Sequence, residues 1–149
     1  MTKEAPRFHY LNTDLDLVAA VELSPLIEVL ESDGRLISLH VTLGDDGLWY
    51  STCETESQFD ESDANIVHML DAIESLPDAA RAIWDQCITR EFNPGYDCGE
   101  EPWGFNQGLT NETLRRMAAV GASFRFTLYP HRDDGDGCNV ATLTAGDIQ

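Results

Sequence analysis

Positive charge is what this sequence has least of. Nine lysines and arginines stand against 27 aspartates and glutamates in 149 residues, a net charge of -18. A nucleic-acid groove neutralises phosphates with Lys and Arg, and here only Arg115 and Arg116 are adjacent, so nucleic acid is excluded as a partner. An anionic membrane surface is repelled for the same reason. A cationic protein is attracted, and its encounter is expected to be fast and salt-sensitive. The same acidity also serves plain solubility.

Long apolar runs are missing as well. None approaches the roughly 18 consecutive residues that a membrane span needs. Met1 to Arg7 lead into no apolar h-region, so no secretory signal is expected and the expected location is cytoplasmic. Paired cysteine motifs are absent: Cys53, Cys87, Cys98 and Cys138 form no C-x-x-C, and no histidine stands at zinc-finger spacing from them. All four are expected to be thiols, because a chain of this size can bury a core without disulfides. Phosphate loops, dinucleotide fingerprints and the G-x-S-x-G elbow are absent too, so no cofactor and no catalytic residue is assigned.

What is present is the patterning of one α+β domain spanning 1-149. The composition is 42% hydrophobic, enough for a real core. Leu15 and Leu17 alternate with Asp14 and Asp16, which predicts a half-buried strand. Ser24-Pro25 predicts a capped helix start, with Leu26, Ile27 and Leu30 as its stripe and Gly34 past its end. Ile37, Leu39, Val41 and Leu43 alternate with Ser38, His40 and Thr42 in the cleanest strand signal. Gly44 to Gly47 reads as a hairpin turn into Leu48–Thr55. Ile66, Met69, Leu70 and Ile73 stand at helical spacing. After Pro77 the spacing recurs in Ala80, Ile83, Trp84 and Cys87. Ile88 to Gly108 is irregular and predicts short strands and turns. A further helix begins at Thr110, with Leu109 and Leu114 at the positions of a hydrophobic staple, and ends at Gly121. Phe124, Phe126 and Leu128 then alternate with Arg125, Thr127 and Tyr129. Residues 131-149 read as a loop and a loosely attached tail. The expected architecture is a mainly antiparallel sheet with helices on one face, a two-layer sandwich.

Two passages share a helix–glycine–strand layout. Aligned on Gly34 and Gly121, Ile27, Leu30, Ile37, Leu39 and Val41 correspond to Leu114, Met117, Phe124, Phe126 and Leu128. Both a pair of related halves and a generic helix-to-strand unit fit this pattern.

The Pro77 helix, the stretch REFNPGYDCG and the ending LTNETLRRMAAVGASFRFTLYP resemble an uncharacterised bacterial domain-of-unknown-function family. The resemblance covers about half the chain and carries no activity. Small acidic bacterial domains of this size also resemble toxin-neutralising immunity proteins.

Two surfaces carry candidate function. The first is the stretch from Tyr96 to Phe105, where Tyr96 and Trp103 mix with Asp97, Glu100 and Glu101 in a loop stiffened by Pro102. Aromatic anchors among carboxylates suit a cationic protein surface, and the competing role for Trp103 is to pin the loop to the core. The second is the polar sheet face. If Ile37, Leu39, Val41, Phe124, Phe126 and Leu128 point inward, Ser38, His40, Thr42, Arg125, Thr127 and Tyr129 share the other side as a ligand platform, or as a solvated face. His9, His40, His68 and His131 are scattered, and His68 has no acid or histidine at i+4. The tail's Asp133, Asp134, Asp136 and Asn139 fail the calcium-loop pattern in three places, so no metal site is expected. These readings point to a non-catalytic acidic binding domain for a basic protein, whether inhibitor, immunity protein or adaptor. The alternative is a small enzyme or ligand binder on the face around His40, Arg125 and Tyr129. Homo-oligomerisation is left open.

Overall fold

The computed structural model describes residues 4–132; Cys138 and the acidic tail positions lie outside the described residues. In chain order the elements are β1 (His9–Ala19), α1 (Ser24–Glu31), β2 (Leu36–Leu43), β3 (Trp49–Thr55), α2 (Ser62–Glu74), α3 (Asp78–Gln86), β4 (Cys87–Asp97), α4 (Asn111–Ala119), β5 (Ser123–Phe124) and β6 (Thr127–Tyr129). They form an α+β fold with the sheet order β2-β3-β1-β4-β5, and β6 also pairs with β4. The pairs β1–β3, β1–β4 and β2–β3 are antiparallel, and β5 and β6 run parallel to β4. The first four strands therefore have split β-α-β connectivity, with α2 and α3 together forming the second crossover. A further crossover through α4 adds β5 and β6 at the edge.

The helices lie on one face. Leu15, Leu17, Ala19, Ser51, Cys53 and Phe92 are buried beneath them, while Asp14, Asp16, Thr52 and Glu91 on the other face keep partial exposure. The stripe Ile66, Met69, Leu70 and Ile73 is fully buried, as its spacing predicts. Trp84 of α3 is buried too, and its indole N–H donates to Val120 O at 2.9 Å, tying α3 to the end of α4. Among the described residues no buried side-chain nitrogen or oxygen lacks a hydrogen-bond partner. Asn65 Oδ1 accepts from Tyr10 OH at 2.6 Å and from Thr13 N–H at 3.2 Å, and its amide donates to Thr55 Oγ1 at 3.0 Å. No helix among the described residues is long and apolar enough to cross a membrane.

Helix ends follow local chemistry. Thr110 caps α4 by accepting from Thr113 N–H at 3.2 Å. In α1 the cap position belongs to Leu23, without a side-chain bond; Ser24 is already helical and caps nothing. Gly34 and Gly121 follow α1 and α4 at φ 77 and 74, the left-handed conformation that stops a helix and favours glycine. The two helix–glycine–strand units deliver the two opposite edges of the sheet.

Three expectations need correction. Ile88 to Asp97 is no run of short strands and turns: it belongs to an 11-residue strand, β4, paired along β1. In β2 the register shifts between Ser38 and His40, and a bulge of this kind resets the side-chain alternation. Ser38 lies opposite buried Cys53 on the helix side, Ile37 lies opposite Glu54 on the open side, and Leu39 sits in the bulge. Ile37 and Leu39 are accordingly 39% and 53% exposed, not inward core residues. The third correction concerns Phe124, Phe126 and Leu128. Phe124 pairs beside Phe92 and Leu128 beside Tyr96, so their side is the helix side, but no helix among the described residues covers them and all three are exposed.

Pro94 accounts for the split between β5 and β6. Arg125 N–H donates to Phe92 O at 2.8 Å, so the backbone groups of Phe92 and, by alternation, Pro94 face this edge. Pro94 has no N–H to give, and the ladder breaks opposite it.

Candidate functional site

At the His9 end of β1 aromatic side chains run from beneath α2, where Tyr10 is buried, out to an exposed surface. Tyr10 and Tyr96 pack with centroids 5.5 Å apart, Tyr96 meets Phe105 edge-on at 5.9 Å, and Phe105 stacks on Phe8 at 5.9 Å. Phe124 and Phe126 pack against each other at 6.5 Å. Between the two groups runs an apolar groove of about 410 Å³, lined by Phe8, Tyr96, Trp103, Phe105, Gln107, Phe124, Phe126 and Leu128. Trp103 stands at this groove with its whole surface open, 100% exposed.

The loop that carries Trp103 is held from below. Glu100 and Glu101 N–H donate to Pro6 O at 2.8 and 3.2 Å, and Phe8 N–H donates to Glu101 O at 2.9 Å. The approach is so close that a Cβ on Gly99 would lie 2.5 Å from Arg7 C, which requires glycine there. Trp103 is thus presented from an anchored base.

The predicted loop residues separate. Tyr96 belongs to β4 and turns to the helix side, where its hydroxyl donates to Ser62 Oγ at 2.9 Å. Asp97, next along the strand, lies 3.3 Å from His9 Nε2. Glu100 and Glu101 are exposed beside Trp103, and Glu101 lies 3.6 Å from Arg7 Nη1. Phe8, Phe124, Phe126 and Leu128 were not among the sequence candidates for this surface. Nothing in the alternation of the last three distinguishes an uncovered apolar row from a covered one.

The polar face also separates. His40 Nδ1 lies 3.2 Å from Thr42 Oγ1 on β2, an exposed pair at one edge. Arg125 and Thr127 lie at the opposite edge, donating to Glu91 at 2.8 Å and to Asn93 at 2.9 Å. Strands β3, β1 and β4 stand between, and Ser38 is on the other side. Between the edges this face is acidic. Asp16 accepts from Thr52 at 2.8 Å, and Asp14 has its carboxyl pushed up to about 6 by burial and then by the charges of Asp16 and Glu54. A separate open cleft of about 600 Å³ gathers Tyr129 with Arg7, His9, Asp97, Cys98, His131 and Arg132. Among the described residues no group of three or more His, Cys, Asp or Glu is placed to hold a metal ion.

The chain matches no protein-family model, and neither curated proteins nor solved structures show a significant likeness to it.

Proposed function

We propose that this protein is a non-catalytic binding domain that presents an acidic, aromatic surface to a basic protein partner, as an inhibitor, immunity protein or adaptor. The observation that carries the reading is Trp103, wholly exposed on an anchored loop beside an apolar groove. Exposing a tryptophan forgoes about 2–3 kcal/mol of burial, and exposed aromatic clusters of this kind mark interaction surfaces. The net charge of -18 selects the sign of the partner. Glu100 and Glu101 supply rim carboxylates next to the anchor, where they steer encounter more than they hold the complex. A loop already fixed by backbone bonds to Pro6 and Phe8 loses less entropy on binding.

The test separates the two contributions. With a basic protein partner in hand, Glu100→Gln with Glu101→Gln slows association and flattens its salt dependence. Trp103→Ala mainly speeds dissociation. Trp103→Ala that leaves the complex lifetime unchanged contradicts the reading.

A second reading, a ligand-binding site, draws on the cleft at Tyr129, the one residue of the expected polar sheet face that lines it. Arg7, His9 and Arg132 would meet an anionic small molecule there. His40 takes no part in that version, because it lies across the sheet from Tyr129. Isothermal titration with inorganic phosphate tests it: saturable heat that Arg132→Ala abolishes supports this reading, and its absence removes it.

A further inference from the structure

The groove beside Trp103 has a sheet edge as one wall. Arg125 N–H points to β4, donating to Phe92 O at 2.8 Å, and Tyr129 O accepts from Cys98 N–H at 2.9 Å. Backbone groups of a strand alternate between its two neighbours, so those of Phe124 in β5 and Leu128 in β6 point away from the sheet. The side chains of these two residues, and of Phe126 between the strands, line the groove. Among the described residues, one short row of chain therefore offers both unpaired backbone groups and an apolar surface.

The other edge of the sheet differs. β2 carries a bulge at Leu39, a device that discourages strand addition. The β5–β6 edge has no lysine and no proline between Ser123 and Tyr129, and its only basic side chain, Arg125, is turned to the far face and bonded to Glu91. On that far face stand Asp14, Asp16, Glu54 and Glu91.

We propose that the partner adds an extended segment to the β5–β6 edge, with alternate side chains apolar and basic. Its apolar side chains enter the groove against Phe126, Leu128 and Trp103, and its lysines or arginines emerge over the acidic open face. Main-chain bonds supply affinity in this mode, and the alternation supplies specificity. The charge of the whole domain selects a basic segment over a second copy of the same chain, which carries the same -18. This inference rests on the proposed binding role and names the form of the partner.

The test uses the full chain and three decapeptides: alternating valine–lysine, alternating valine–glutamate, and the valine–lysine peptide with every amide N-methylated. Binding is followed by fluorescence anisotropy of labelled peptide. The expected result is saturable binding of the valine–lysine peptide, with about tenfold or greater loss on N-methylation, on exchange of lysine for glutamate, and in Phe126→Asp. Circular dichroism of Phe126→Asp checks that the variant is folded, and Leu128→Asp serves as the second variant. Equal binding of the N-methylated peptide, still dependent on Trp103, overturns strand addition and leaves the binding role standing. Binding indifferent to Trp103→Ala overturns the binding role itself. Absence of binding by every peptide overturns strand addition. Tighter binding in Leu143→Asp assigns the edge to the chain's own C-terminal segment instead. A dimer in sedimentation that Phe126→Asp dissociates assigns it to a second copy.

Discussion

The guanidinium of Arg90 closes two helix ends at once, and Gly121 is its partner at one of them. Its Nε donates to Gly121 O at 3.0 Å, just beyond α4, while Nη1 reaches the carbonyls of Trp84, Asp85 and Cys87 at the end of α3 at 3.0, 3.3 and 3.2 Å. Helix C-terminal carbonyls are partly negative and lack intrahelical partners, so a fixed cation satisfies them. Gly121 is at φ 74, and a Cβ there would lie 2.9 Å from Arg90 Nη2.

This relationship predicts different costs for two similar glycines. Gly34→Ala is expected to cost about 1–2 kcal/mol from backbone strain alone, since its nearest neighbour would be 3.9 Å away. Gly121→Ala adds about 1 kcal/mol by displacing Arg90 from its carbonyls. Urea unfolding of both variants measures the difference, and in an Arg90→Ala background the excess at Gly121 disappears.

Asn65 is the polar link between α2 and β1. Asn65→Ala strands the buried Thr13 N–H, bonded to it at 3.2 Å, and takes from the Tyr10 hydroxyl one of its two partners, leaving it Thr13 Oγ1 alone. Loss of about 2–4 kcal/mol in unfolding free energy is expected. Asn65→Asp does not rescue it, because the amide that donates to Thr55 is gone and a charge is buried instead.

Asp14 makes stability depend on pH in an unusual direction. Its folded-state value of about 6 lies above the ordinary 3.8, so the folded state binds the proton more tightly than the unfolded one. Its contribution therefore favours folding as pH falls from about 6 to about 4, and opposes it above that window. Because Asp14 keeps partial exposure, less than the full shift reaches stability, and Asp14→Asn is expected to stabilise the protein by about 1–2 kcal/mol at pH 7 and by almost nothing at pH 4. Urea melts of both proteins at the two pH values check the crossover.

Thiol reactivity should follow depth. Burial pushes Cys53 up to about 12 and Cys87 up to about 11, whereas Cys98 is only half-buried. Alkylation of the native protein, read by peptide mass spectrometry, is expected to label Cys98 well before Cys53 or Cys87.

How far the residues themselves disclosed this arrangement depended on where a pattern stayed regular. The α2 stripe from Ile66 to Ile73 and the turn at Gly44–Gly47 were readable because each uses one local rule. The β2 alternation misled at Leu39, since one bulged residue exchanges the two faces and leaves no mark on composition. β4 was hidden by Pro94 and Gly95, which read as breakers; Pro94 is tolerated because the parallel ladder opens opposite it. The Trp103 loop was visible from its aromatic and acidic neighbours. Its groove was not, because Phe124, Phe126 and Leu128 carry a core pattern, and only the placement of the helices leaves them bare.

The central claim is that Trp103 meets a basic protein. A photo-crosslinking residue at position 103, compared with one at exposed Ile88, tests it in the producing cell. The expected result is a discrete adduct at 103, absent at 88, whose mass-spectrometric identity is a polypeptide of net positive charge. No adduct at 103, the same adducts at both positions, or a discrete adduct with an acidic protein contradicts the account.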